Sequence, residues 1–120
     1  MKKIVCTFIF LCFVLLSTFA NAIFSVEKTA YEEFYYYVNF TNWIQVGETL
    51  TGTPSVTSID RLSGIDVSTD MISNVAIDSN VKVKFKLKGG VTGRKYNLKV
   101  KTETNAGQKF EYKSIVIDVN

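Results

Sequence analysis

The chain has 120 residues, a formal net charge of +3, two cysteines and no histidine. Without histidine, Ser-His-Asp and Cys-His nucleophilic sites and His-based zinc sites are excluded. Setting aside Lys2 and Lys3 lowers the net charge to +1, too balanced to point to nucleic acid or an anionic membrane surface.

Lys2 and Lys3 lead into an almost unbroken apolar run from Ile4 to Phe19, closed by Ala20-Asn21-Ala22. A positive start, an apolar stretch and a small-x-small end are the three parts of a secretory signal peptide, with cleavage after Ala22. The run is shorter than the roughly 20 apolar residues a membrane span needs. The alternative is an uncleaved hydrophobic arm that anchors the chain or packs against another subunit, and only in that case is a membrane a partner. Residues 1–22 are therefore expected to be a leader. Residues 23–120, about a hundred in number, suit a single domain. Cys6 and Cys12 both lie in the leader, so the domain has no disulfide and is held by its core alone.

Beyond the leader the recurring period is two. Phe34, Tyr36, Val38 and Phe40 alternate with Tyr35, Tyr37 and Asn39. The stretch from Glu48 to Asn80 scatters its aliphatic residues among Ser, Thr, Asp and Gly, which predicts two or three short strands. Val81, Val83, Phe85 and Leu87 then alternate with Lys82, Lys84, Lys86 and Lys88, and Tyr96, Leu98 and Val100 with Asn97, Lys99 and Lys101. Such alternation reads as strands with one buried and one wet face. Asn105-Ala106-Gly107 predicts a three-residue hairpin loop closed by Thr104 and Gln108, with Gly107 in the left-handed position. That register sets Glu103 opposite Lys109 and Lys101 opposite Glu111. It also turns Ile115, Ile117 and Val119 outward, unless a one-residue bulge near Lys113-Ser114 restores them to the core. A bulge is predicted there.

About seven short strands in this length predict an all-β fold: a single immunoglobulin-like two-sheet β-sandwich behind an N-terminal hydrophobic leader. Tyr96 opens the penultimate strand where a tyrosine corner sits, Leu98 takes the place of a core cysteine, and Trp43 is expected to supply the large core ring.

The acidic residues of the loops lack calcium-loop spacing. Gly89-Gly90-Val91-Thr92-Gly93 leads into a strand, whereas a phosphate loop opens a helix. Glu32 and Glu33 point to opposite faces of a strand and cannot converge on one substrate. No enzyme, cofactor, metal site or small-molecule substrate is expected. Two sets of residues are candidates for partner binding. Tyr35, Tyr37 and Trp43 offer an outward aromatic platform for a protein or a sugar. The plainer reading makes Trp43 core and leaves Tyr35 and Tyr37 on an ordinary β-favourable outer face. Lys82, Lys84 and Lys86 form a basic row, and its plainer reading is a solvated face whose charges deter aggregation. That plainer reading is preferred because no aromatic residue interleaves on the lysine side of the strand.

The chain also resembles the small immunoglobulin-like phage proteins described as fiber–tail adaptors. The residues that carry the resemblance are Trp43, Gly47-Glu48-Thr49-Leu50, Gly89-Gly90, Gly93, Tyr96, Ala106-Gly107 and Ile115-Val116-Ile117, and it covers roughly Glu32 to Val119. It implies a non-enzymatic virion protein of the tail or neck, which joins larger parts through protein–protein contacts and assembles with itself or a larger complex. The leader departs from this pattern, since a tail component assembles in the cytoplasm. Either the leader is retained as a docking arm, or the fold serves a secreted or periplasmic role in adhesion or in glycan or protein binding.

Overall fold

The computed structural model describes residues 24–120; the expected leader lies outside the described residues. The elements are β1 (Phe24–Lys28), β2 (Phe34–Asn39), β3 (Leu50–Asp60), α1 (Ser68–Met71), β4 (Ile72–Asp78), β5 (Lys82–Leu87), β6 (Lys95–Thr104) and β7 (Lys109–Val119). They form two packed sheets, one ordered β1-β7-β6-β3 and the other β2-β5-β4. All pairings are antiparallel except that of β1, which runs parallel to β7.

β5 and β6 bury alternate residues, and β2 and β3 do so over part of their length, so the core is built from the inward faces of the strands. Val83, Phe85 and Leu87 of β5 meet Leu98 and Val100 of β6 and Ile115, Ile117 and Val119 of β7, with Val38 and Phe40 closing one side. Burial of each such side chain stabilises the fold by roughly 1.5–3 kcal/mol. In the β6–β7 ladder Leu98 faces Ile115 and Val100 faces Tyr112. Two residues, Lys113 and Ser114, therefore stand opposite the single Lys99, which is the bulge the hydrophobic pattern demanded. The hairpin closes as expected, with Thr104 N–H donating to the Gln108 carbonyl and Gly107 at φ +87°. Glu103 faces Lys109 and Lys101 faces Glu111. The ion pair that forms is nevertheless diagonal, from Lys99 Nζ to Glu111 at 3.3 Å, next to the bulge.

Tyr96 is a tyrosine corner. Its buried hydroxyl accepts the Val91 N–H at 2.9 Å, five residues upstream. Between β5 and β6 the chain crosses from one sheet to the other through Gly89-Gly90, both at positive φ. A Cβ on Gly90 would lie 2.7 Å from a Val119 methyl carbon, so only glycine fits against the end of β7.

Three features depart from the sequence reading. The segment Glu48–Asn80 holds two strands, within the expected number, but β3 is not short: it runs eleven residues, interrupted where Gly52-Thr53-Pro54 face the single Thr102. The four-residue helix α1 is too short to leave a periodic signal. Trp43 does not fill the core. It is 41% exposed and packs edge-on against Phe40 and Phe110 at the open side of the sandwich, where the buried Phe40 ring already occupies the space between the sheets.

Lys28 ends β1 and is only 1% exposed. Its ammonium donates to the carbonyls of Thr29 and Gly89, tying β1 to the glycine crossover. Burial pushes its pKa down, and the carboxylates of Glu32 and Glu33 offset part of that shift.

Candidate partner-binding face

The β2–β5 register sets Tyr35 opposite Lys86, Tyr37 opposite Lys84 and Asn39 opposite Lys82. Directly opposed residues share a face, so both sequence candidates, except Trp43, lie on the outer side of the same three-stranded sheet. The lysine row read alone has no aromatic neighbours. The structure supplies them from the adjacent strand, and that interleaving was invisible without the strand pairing.

The lysines lean over the tyrosine rings. Lys84 Nζ lies 4.4 Å from the Tyr35 ring centre and 5.9 Å from that of Tyr37, and Lys82 Nζ lies 5.8 Å from Tyr37. An ammonium over a ring at an exposed site is worth roughly 0.5–1 kcal/mol, which holds the charge in place while leaving it in water. Lys86 is paired differently, 3.3 Å from Glu33. Among the described residues Lys82 and Lys84 form no ion pair. Tyr35 and Tyr37 are each 46% exposed, and the Tyr35 hydroxyl accepts a hydrogen bond from Asn74 Nδ2 at 3.1 Å. The face is thus ordered, aromatic and basic. It can receive carboxylates, and it can stack flat groups against the tyrosines.

Trp43 stands around the edge of β2, outside this plane. With Phe24, Tyr36, Tyr37, Val38, Asn39, Asn42, Tyr112 and Ile115 it lines a groove of about 380 Å³ along the seam between β2 and the β1–β7 edge. Burial raises the pKa of Tyr36, and burial together with the nearby Tyr36 phenol raises that of Tyr112. Both phenols are neutral at physiological pH. A second groove, of about 460 Å³, lies beside the interruption in β3 and is lined by Lys101, Glu103, Lys109 and Glu111 among others. Its charges alternate in sign and cancel, which gives it no preference for an anionic or a cationic partner.

Among the described residues no three His, Cys, Asp or Glu side chains gather as a metal would require, and no helix is long and apolar enough to cross a membrane. The carboxylate with the strongest local network is Asp60. It accepts from Leu62 N–H at 2.9 Å, Ser63 N–H at 3.4 Å and Arg94 Nη1 at 2.7 Å. Burial alone would raise its pKa, but those N–H groups and the guanidinium outweigh it and hold the carboxyl below the ordinary range. This network fastens the turn after β3 to the start of β6 and takes no part in the tyrosine–lysine face.

No curated protein and no solved structure matches the chain. A family model described as "Podophage GP4 fiber-tail adaptor protein gp77" matches residues 28–117, from the buried Lys28 through all but the end of β7. That is three-quarters of the sequence, and the chain belongs to this family of phage fiber-tail adaptor proteins.

Proposed function

We propose that the protein is a non-enzymatic structural component of a phage virion that joins larger tail parts through the outer face of the β2-β5-β4 sheet. The observation that carries this reading is the ordered array of Tyr35, Tyr37, Lys82 and Lys84, together with family membership. An adaptor needs a rigid surface with features that select one partner. Aromatic rings supply contact area at low entropic cost, and unpaired lysines supply charge selectivity.

We further read the sandwich, residues 23–120, as immunoglobulin-like. Lettering β2 to β7 as B to G gives sheets B-E-D and G-F-C, and the Tyr96 corner falls where that fold carries one. A second reading, a secreted or periplasmic immunoglobulin-like domain for adhesion or for protein or glycan binding, is favoured by the signal-like segment 1–22.

The test is to express a tagged copy beside the products of its neighbouring genes and identify what co-purifies. Capsid or tail components are expected, with retention reduced when Lys82, Lys84 and Lys86 are all changed to Gln. Undiminished retention in that variant removes the basic face from the proposal. A product that begins at Ile23 and binds only surface proteins or glycans favours the second reading.

A further inference from the structure

Among the described residues four strands lie at sheet edges: β1 and β3 in one sheet, β2 and β4 in the other. An exposed edge offers unpaired N–H and C=O groups to another chain, and proteins blunt such edges with bulges, proline, charge or short length. Three of the four are blunted here. β3 carries Pro54 within its three-residue interruption. β4 shifts register between Ser73 and Ala76, with Asn74 at φ +54°. β1 has only five residues, two of them charged. β2 has none of these devices. Its six residues, Phe34-Tyr35-Tyr36-Tyr37-Val38-Asn39, are uncharged, rich in strand-favouring aromatics and paired with β5 without a shift.

The direction of the free groups follows from the ladder. Phe40 N–H donates to the Val81 carbonyl, and hydrogen-bonding direction alternates along a strand. Even-numbered residues of β2 therefore turn their backbone groups to β5, while Tyr35, Tyr37 and Asn39 turn theirs to the other side. Among the described residues no strand pairs with that side.

Two surfaces flank this edge, and they differ in chemistry. On the outer side, Lys82 and Lys84 reach over the tyrosines of β2, so that their ammonium groups hang above the edge strand itself. On the inner side runs the seam groove, walled by Phe24, Tyr36, Val38, Trp43, Tyr112 and Ile115. A strand added alongside β2 would lie about 4.8 Å away, sending alternate side chains to the lysines and into the groove. We infer that β2 is a strand-addition site for an extended segment of a partner protein that is acidic on one face and apolar on the other. Backbone pairing gives affinity in such complexes, and the alternate side chains give specificity. The inference rests on the adaptor reading only in taking the occupant to be a protein.

Trp43 is the only tryptophan in the chain and lines the groove, so its fluorescence reports occupancy. The experiment titrates the protein with a nine-residue peptide alternating Glu with Leu, and with a control alternating Lys with Leu. A saturable Trp43 change with the Glu peptide alone is expected, weakened about threefold by Lys84→Gln. Tyr37→Pro removes one edge N–H without breaking any bond to β5, and proline is tolerated on edge strands. It should abolish binding while leaving the thermal transition in place, whereas Tyr37→Val, which keeps the N–H, should bind more tightly than Tyr37→Pro. No saturable change, equal binding of both peptides, or binding by a folded Tyr37→Pro variant overturns the inference. So does concentration-dependent self-association that Tyr37→Pro eliminates, because the occupant would then be a second copy. These outcomes are independent of whether the protein is found in virions, so failure here and failure of the adaptor reading are distinguishable.

Discussion

The Tyr96 hydroxyl and the Asp60 carboxylate each fix a crossing between the sheets, and each can be removed by changing a few atoms. Tyr96→Phe leaves the ring in the core but strands the Val91 N–H. Losing one such bond should cost about 1–2 kcal/mol, read as a lower midpoint in urea unfolding with an unchanged slope. Asp60 makes a prediction about pH. Its folded pKa lies below the ordinary value of 3.8, so the folded state binds that proton less tightly than the unfolded chain does. The stability it contributes is complete above that ordinary value and is lost as pH falls through the lower folded value. Asp60→Asn should therefore flatten the acid limb of a plot of stability against pH. A variant with the same acid limb as the parent would show that other carboxylates govern it. Lys28 has the same sign at the alkaline end. Its depressed pKa makes the buried ammonium cost least above 10.5, with the cost growing as pH falls through the folded value.

At the scale of elements, the bulge at Lys113-Ser114 decides which face of β7 is buried. Deleting Ser114 restores an unbroken ladder from the hairpin and turns Ile115, Ile117 and Val119 outward. The expected result is loss of the cooperative unfolding transition and recovery in the insoluble fraction. A soluble, cooperatively folding deletion would contradict the register. Much of this element structure was legible in the sequence because it rests on strict alternation and turn chemistry, as in β2, β5, β6, β7 and the Gly107 hairpin. β1 was not legible. Its alternation ends in a lysine, and only the carbonyls of Thr29 and Gly89 make that lysine a buried residue. The interruption of β3 was equally hidden, since Gly52-Thr53-Pro54 carries no apolar alternation that would mark it as part of a long strand. The tyrosine and lysine sets could be named from sequence, but their merging into one surface depends on β2 pairing with β5. Trp43 was misplaced because a lone large ring after a strand gives no sign of whether it fills the core or caps its edge.

Across the whole molecule, the two faces of the sandwich have different characters. The outer side of the β6–β7 hairpin balances its charges near the tip, where Lys101 and Lys109 offset Glu103 and Glu111, and carries no tyrosine array beside Lys95, Lys99 and Lys113. The outer side of the β2-β5-β4 sheet concentrates lysine and tyrosine, and β2, the one edge strand among the described residues without a bulge, proline or charge, borders it. The proposed function makes this chain a part of the virion. Its most direct test is quantitative mass spectrometry of purified particles from a culture that produces them, set against the periplasmic and culture fractions. Peptides spanning β2 to β7 are expected in the particles at a fixed ratio to tail proteins. Their absence from particles, with the protein found only as an exported species beginning at Ile23, would contradict it.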